Sequence, residues 1–153
     1  MEVALKNLAE DAAYTFKGLY KTADALRITY KVYVLFPVLF SLCILGFPDV
    51  LTQGEEKLFS IICIFFGFLL FYNQKKYELI PKYHRIANRY KTIYDRLMIA
   101  HNEEKKTDFD EVRSELEKLR EETPECEINC IGRYWAKFKI NKEMNLDWLK
   151  GPK

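Results

Sequence analysis

The sequence lacks the residue patterns on which most catalytic sites depend. Its two histidines, His84 and His101, form neither an H-x-x-x-H nor an H-E-x-x-H spacing, and no cysteine–histidine pair has local support. None of its six glycines lies in a phosphate-binding loop, and the nucleophile motif G-x-S-x-G is absent. These absences predict a protein that is not an enzyme and that binds no cofactor.

Cysteine is too sparse to predict a disulfide framework or a metal centre. Cys43 and Cys63 lie within apolar runs, where a free cysteine behaves as a small hydrophobic residue. Cys126 and Cys130 form a single pair with three residues between them, whereas a structural zinc site needs about four ligands. All of these cysteines are therefore expected to be reduced thiols without a bound metal.

Net charge is also small, and this excludes one class of partner. The 24 lysine and arginine residues and the 22 acidic residues leave a formal charge of +2, which is too little to predict nucleic-acid binding. The basic residues between positions 75 and 91 suit a segment that lies beside anionic lipid. No direct contact with nucleic acid is expected.

Long charge-free runs are present in one part of the chain, residues 32–72. Residues 32–47 and 58–72 contain no charge, and a short acidic turn joins them. Aromatic residues and leucines occupy every face of both runs, which a small water-soluble domain could not cover. We interpret residues 32–72 as a transmembrane hairpin with spans of about 30–47 and 57–74, close to the roughly 20 residues that cross a bilayer. The alternative is a buried helical hairpin of a water-soluble protein.

The flanking segments predict an all-α membrane protein with both termini in the cytoplasm. Residues 1–31 predict an amphipathic helix that packs on its neighbours or lies in the membrane interface. Residues 73–101 predict a heptad-bearing, coiled-coil-like extension of the second span, and residues 107–150 predict C-terminal cytoplasmic helices. Lysine and arginine are concentrated outside the turn between the spans, so the positive-inside rule places both termini in the cytoplasm.

Three local signals refine these helices. Pro37 and Pro81 are each expected to kink a helix, because proline has no backbone N–H to donate. Thr107 is expected to cap the N-terminus of the next helix. The basic and aromatic residues of a last helix, at about 128–144, favour packing against residues 73–101 over contact with lipid headgroups.

Small residues mark the candidate contact surfaces, because close backbone approach favours helix association in lipid. The candidate helix-interface or pore-lining residues are Pro37, Ser41, Ser60, Cys63 and Gly67. The candidate cytoplasmic oligomer or packing seam consists of Leu79, Tyr83, Ile86, Tyr90, Ile93 and Leu97. Two helices alone enclose no water path, so a pore requires a homo-oligomer. Because the spans carry no charge, we expect such a pore to gate by dewetting and to have low ion selectivity.

The layout resembles the SLATT family, small two-transmembrane effector domains of bacterial conflict and immunity systems. The resemblance covers most of the chain and is carried by residues 27–31, by the tight hairpin and by the cytoplasmic continuation at 83–97. It concerns architecture and helical pattern rather than a catalytic motif. It implies an antiviral defence effector at the bacterial inner membrane, which oligomerises and disrupts or permeabilises that membrane when a separate sensor or nucleotide signal is activated.

The resemblance also implies partners. These are membrane lipid, further copies of the chain and a separate sensor or activator, such as a nucleotide-signal synthase or a reverse transcriptase system. The alternative function is a non-catalytic membrane adaptor whose cytoplasmic helices recruit a partner. A holin-like protein is a weaker alternative, because the cytoplasmic portion is large.

Overall fold

The computed structural model describes residues 2–46, 52–102 and 109–143, and these residues are helical apart from short connections. The helices are α1 (Glu2–Gly46), α2 (Gln53–Tyr72), α3 (Gln74–Glu78), α4 (Ile80–Asn102), α5 (Phe109–Glu121) and α6 (Cys130–Glu143). No strand occurs in these described ranges. The prediction of an all-α protein is therefore confirmed.

The chain divides into two units. The first, which we call the bundle, consists of Met1–Ala25 together with Pro81–Lys153. The second, which we call the apolar pair, is Leu26–Ile80. Helix α1 belongs to both units, because it continues from the amphipathic segment into the first apolar run without interruption.

The hydrophobic core of the described residues lies entirely within the bundle. On α1, alanines alternate with larger residues, and the small side chains let the neighbouring helices approach closely. Each fully buried leucine or isoleucine contributes about 1.5–3 kcal/mol relative to an exposed one. The buried apolar residues are Ala9, Ala12, Ala13, Phe16, Leu19 and Ala23 of α1, Tyr83, Ile86, Ala87, Tyr90, Ile93, Tyr94 and Leu97 of α4, Val112, Leu116 and Leu119 of α5, and Ala136 and Ile140 of α6.

Helices α1 and α6 approach each other closely at two glycines, Gly18 and Gly132. A Cβ atom built on Gly132 would lie 2.6 Å from the carbonyl oxygen of Gly18 and against the hydroxyl of Thr22. Thr22, buried itself, accepts a hydrogen bond from the backbone N–H of Asn129 at 3.2 Å. The side chain of Asn129 in turn accepts from the N–H of Gly132 at 2.6 Å, which caps the first turn of α6. Only glycine fits at position 132.

Ion pairs on the bundle surface join α4 to the segment that follows α5. Arg89 Nη1 lies 2.7 Å from Glu122 Oε2, and Lys82 Nζ lies 2.8 Å from Glu125 Oε2. Their hydrogen bonds hold the pKa values of both glutamates below the ordinary value of 4.5. The hydrogen bond that Lys82 donates to Glu125 also raises the pKa of Lys82. These exposed pairs tie this segment to α4 but each contributes little to stability.

The lowered pKa values of Glu122 and Glu125 predict a decline in bundle stability in acid. A carboxylate that releases its proton more readily when folded contributes stability above the unfolded-state pKa, and that contribution is lost as pH falls through the folded-state pKa. We expect the midpoint of thermal unfolding, followed by circular dichroism, to fall between about pH 5 and pH 3. In the Glu122→Gln/Glu125→Gln protein the midpoint should fall less over the same interval. Equal declines in the two proteins would contradict this assignment.

The helix predicted to extend the second run through residues 73–101 is interrupted twice. Helix α2 ends at Tyr72, and Asn73 adopts φ −96° and ψ 6° while its side-chain amide donates to Leu69 O at 2.9 Å. Leu79 separates α3 from α4, so Pro81 occupies the first turn of α4 rather than the middle of a continuous helix. A first-turn proline is tolerated because the N–H at that position has no partner within the helix.

Other predicted boundaries differ in smaller ways. The segment predicted as a separate helix at 1–31 and the first span form one helix, and Pro37 lies inside it. The last helix is Cys130–Glu143, so it begins two residues after the predicted start at about 128. The predicted cap at Thr107 and the last residues of the predicted segment 107–150, from 144 onwards, lie outside the described residues.

Candidate functional site

The apolar pair is the candidate functional site, and aromatic contacts hold its two long helices together. Tyr33 and Phe36 of α1 both pack on Phe66 of α2, with ring centroids 5.6 and 4.6 Å apart. Phe40 contacts Phe59 at 4.9 Å. Later positions on α1 pair with earlier positions on α2, so the two helices are antiparallel. Such ring pairs contribute about 0.5–1.5 kcal/mol each beyond the area they bury.

The outer surface of the apolar pair is hydrophobic on all sides. No described residue of α2 is buried, and the large side chains that do not face the other helix are exposed. These exposed apolar side chains are Ile28, Tyr30, Val32, Leu35, Val38, Leu39, Leu42 and Leu45 of α1 and Leu58, Ile61, Ile64, Phe65, Phe68, Phe71 and Tyr72 of α2. A patch of this extent far exceeds what a monomeric protein normally leaves in water.

Within the described residues one helix, α1, is long and apolar enough to span a membrane. A core helix of a water-soluble protein has a similar composition but is mostly buried, whereas none of the most apolar 18-residue stretch of α1 is buried. Helix α2 carries Glu55, Glu56 and Lys57 close to its N-terminus, and these charges limit its charge-free run to residues 58–72.

The start of α2 is fixed by a capping box. The Thr52 hydroxyl accepts from the N–H of Glu55, and the Glu55 carboxylate accepts from the N–H of Thr52 at 2.8 Å. These bonds satisfy backbone donors that the helix itself leaves without partners. They also lower the pKa of Glu55, which keeps the carboxylate charged at the positive end of the helix dipole.

The five candidate pore-lining or interface residues do not share one surface. Cys63 lies on the seam between the helices, where its Sγ is 3.9 Å from the carbonyl oxygen of Pro37. The same carbonyl oxygen of Pro37 also accepts a hydrogen bond from Ser41 Oγ at 2.8 Å. Ser60 and Gly67 are both exposed, and Ser60 donates back to Glu56 O at 2.9 Å. Cys63 and Pro37 thus join the two helices of one chain, whereas Ser60 and Gly67 face outward.

Gly67 borders an apolar cleft within the apolar pair. A Cβ atom added to Gly67 would meet nothing within 4 Å, so this glycine is not required by contact inside the chain. The cleft has a volume of about 510 Å³, and its lining includes Tyr30, Leu70 and Tyr77. Gly67 therefore has room for a close approach by another helix.

The candidate seam on α4 packs within the chain. Its five residues from position 83 onward are buried in the bundle, and Leu79 is half-buried between α3 and α4. The Tyr83 hydroxyl donates to Glu127 O at 3.0 Å, and burial raises the pKa of this phenol. Since α1, α5 and α6 contribute the rest of the same core, the seam is covered within one copy of the chain.

Two features of the bundle escaped the sequence patterns. The close approach at Gly18 and Gly132 joins segments more than a hundred residues apart, and no local signal pairs them. Helix α6 buries one face and exposes the other, with Ile131, Tyr134 and Trp135 on the exposed side. In the sequence, only the interleaved aromatic and basic residues at 133–138 indicate that α6 has an exposed aromatic face.

The described residues form no cluster that could hold a metal ion. All four cysteines are free thiols, and burial raises the pKa of Cys126, which makes it a weak nucleophile at neutral pH. Comparisons with protein-family models, with curated proteins and with solved structures found no match for this chain.

Proposed function

We propose that the chain is a membrane effector of the SLATT type, in which α1 and α2 cross the inner membrane of a bacterium. The observation that carries this proposal is the apolar pair, whose large side chains point outward on all sides while the bundle has an ordinary buried core. In water this surface would drive aggregation, whereas in lipid it is the expected exterior of two spanning helices. Both termini then lie in the cytoplasm with the bundle, as the distribution of lysine and arginine requires.

The effector forms a pore only as an oligomer. The aromatic seam between α1 and α2 leaves no water path within one chain, because ring contacts fill it. Contacts between chains therefore use the outward surfaces, and Ser60 and Gly67 are the small residues that allow close approach there. A separate sensor, or the nucleotide signal that it produces, acts on the bundle and releases this assembly.

Membrane depolarisation in living cells tests the effector function. The chain is expressed with its genomic neighbours, the system is activated, and a potential-sensitive dye and cell growth are followed. We expect rapid depolarisation and growth arrest. If cells that contain the activated neighbours show no depolarisation, the proposed effector function is overturned. That result would favour the adaptor function, in which the bundle recruits a partner and the membrane stays closed.

Gly67→Leu separates an oligomeric pore from an anchor. The folded chain has room for the new side chain, since nothing lies within 4 Å of the added Cβ, so expression and insertion should be unchanged. Depolarisation should be lost if Gly67 lies between chains, because a leucine there prevents close helix approach. Gly46→Leu is the matched control, because Gly46 is equally open and lies at the end of α1. Full activity of the Gly67 variant would exclude this surface from the oligomer.

A further inference from the structure

Helix α6 has two apolar faces: one is buried in the bundle core, and the other is exposed. Gly132, Ala136 and Ile140 are buried at positions four residues apart and face the bundle core. Ile131, Tyr134, Trp135 and Phe138 follow the spacing of a second helical stripe and are exposed by 49, 71, 44 and 50%. Trp135 and Phe138 contact each other edge to face with ring centroids 6.1 Å apart, which makes this outer stripe one aromatic surface.

The charges of α6 complement an anionic surface. The helix carries Arg133, Lys137, Lys139 and Lys142 against a single acidic residue, Glu143. Arg133 and Lys137 are exposed, and neither takes part in the ion pairs described for the bundle. A helix with tryptophan, tyrosine and phenylalanine on one stripe and lysine and arginine beside it has the composition of helices that lie in a bilayer interface.

We propose that the outer stripe of α6 docks on the anionic lipid surface of the membrane that the apolar pair spans. This inference rests on the proposed membrane location, because the chain ties the bundle to the apolar pair at two points, near residues 25 and 80. Such a double tether keeps α6 at a high effective concentration near lipid, so a modest intrinsic affinity suffices.

A second copy of the chain is the less suitable occupant. Stable protein interfaces use about 20–30 residues from each partner, whereas the outer stripe offers four large side chains from one helix. The concentration of basic residues on α6 would also repel the same face of an identical chain. Lipid requires neither a large area nor a complementary shape.

The test uses the intrinsic fluorescence of Trp135 in the full chain. The sequence contains two tryptophans, so Trp148→Phe leaves Trp135 as the only one. This protein is reconstituted into vesicles of phosphatidylcholine with or without phosphatidylglycerol, in which the acyl chains are brominated and quench a nearby indole. We expect quenching in vesicles that contain phosphatidylglycerol and little in phosphatidylcholine alone.

Charge removal is the second arm of the test. Each basic residue near an anionic bilayer strengthens binding about fivefold, so Arg133→Gln/Lys137→Gln should weaken docking roughly 30-fold and abolish most of the quenching. Lys91→Gln/Lys118→Gln removes the same charge from α4 and α5 and should leave the quenching unchanged. Circular dichroism verifies that each variant is folded. Equal quenching in the two charge variants would overturn the proposed role of α6.

A reporter in the apolar pair distinguishes failure of this inference from failure of the proposed function. In the Trp135→Phe/Trp148→Phe protein, Phe65→Trp places the only indole on the exposed surface of α2. Quenching at position 65 without quenching at Trp135 overturns the docking of α6 but supports the membrane spans. Absence of quenching at both positions overturns both. If Trp135 is shielded from aqueous acrylamide but is not quenched by brominated lipid, protein covers it. That result also overturns the docking of α6 on lipid.

Discussion

Replacement of Ile64 by lysine should abolish stable membrane insertion of α2. The side chain of Ile64 is 73% exposed and lies near the middle of the charge-free run 58–72. A lysine at the centre of a spanning helix costs about 2.5–3.5 kcal/mol. The apolar run of α2 is shorter than the roughly 20 residues that span a bilayer, so it has little surplus hydrophobicity to offset this cost. Alkaline extraction of membranes and protease protection of a tag in the inter-helix turn measure insertion.

If the chain is water-soluble, Ile64→Lys should instead leave the protein folded and stable. An exposed surface position of a protein in water tolerates substitution within about 0.5 kcal/mol, and a lysine would even improve solubility. Ile99→Lys is the matched control, because Ile99 is 49% exposed on α4 in the bundle. This variant should insert normally. An Ile64→Lys protein that is unchanged in membrane extraction would contradict the spanning role of α2.

Replacement of Gly132 by alanine should destabilise the bundle by about 1–3 kcal/mol, occasionally more, as overpacked cores do. The new Cβ would lie 2.6 Å from Gly18 O and against Thr22, and a backbone carbonyl in a helix cannot move without moving the helix. The substitution by itself favours helix by up to about 1 kcal/mol, so the observed destabilisation is the net of the two effects. Thermal unfolding of the detergent-solubilised protein, followed by circular dichroism, measures the loss.

Two matched glycine variants make this test specific. Gly67→Ala adds the same methyl group where nothing lies within 4 Å, so its unfolding midpoint should be unchanged or slightly raised. Gly18→Ala places its Cβ 2.8 Å from Cδ1 and 2.9 Å from Cγ2 of Ile128, so side-chain atoms oppose it rather than a backbone carbonyl. That variant should be less destabilised than Gly132→Ala. A Gly132→Ala protein as stable as wild type would show that α1 and α6 do not approach closely at this position.

Periodicity in the sequence predicted the buried face of α4 well. Spacings of three and four identified the candidate seam, and its five residues from Tyr83 to Leu97 are buried. These predictions succeed because a helix that must bury a stripe repeats apolar residues at its own period.

The structure divides the predicted extension at 73–101 into two helices, α3 and α4, and the reason is local. The heptad pattern continues from position 79 to 97, but periodicity reports which residues share a face and is insensitive to a short break. Asn73 ends α2 through a hydrogen bond from its own side chain to Leu69 O, and Pro81 suits the first turn of a new helix. Both residues favour helix ends, and their combined effect outweighs the pattern.

The apolar pair was the strongest signal in the sequence, and its outward hydrophobic surface follows from composition alone. Two charge-free runs with large apolar residues on every side necessarily expose them when only two helices pair. What the sequence could not specify is which residues line the seam: of the small residues, Cys63 faces Pro37 while Gly67 faces outward. The spanning role of these helices and their orientation remain the proposal that Ile64→Lys tests.

The sequence by itself determined the helical class, the location of the apolar runs and the buried stripes, because each depends on residues that are neighbours along one helix. Only the tertiary structure decided what covers each stripe. It placed the seam of α4 inside one chain, brought Gly18 against Gly132, and left the second face of α6 uncovered by the described residues of the bundle. The physical reason is that contacts between distant segments depend on how side-chain volumes fit together, and no local period encodes that fit.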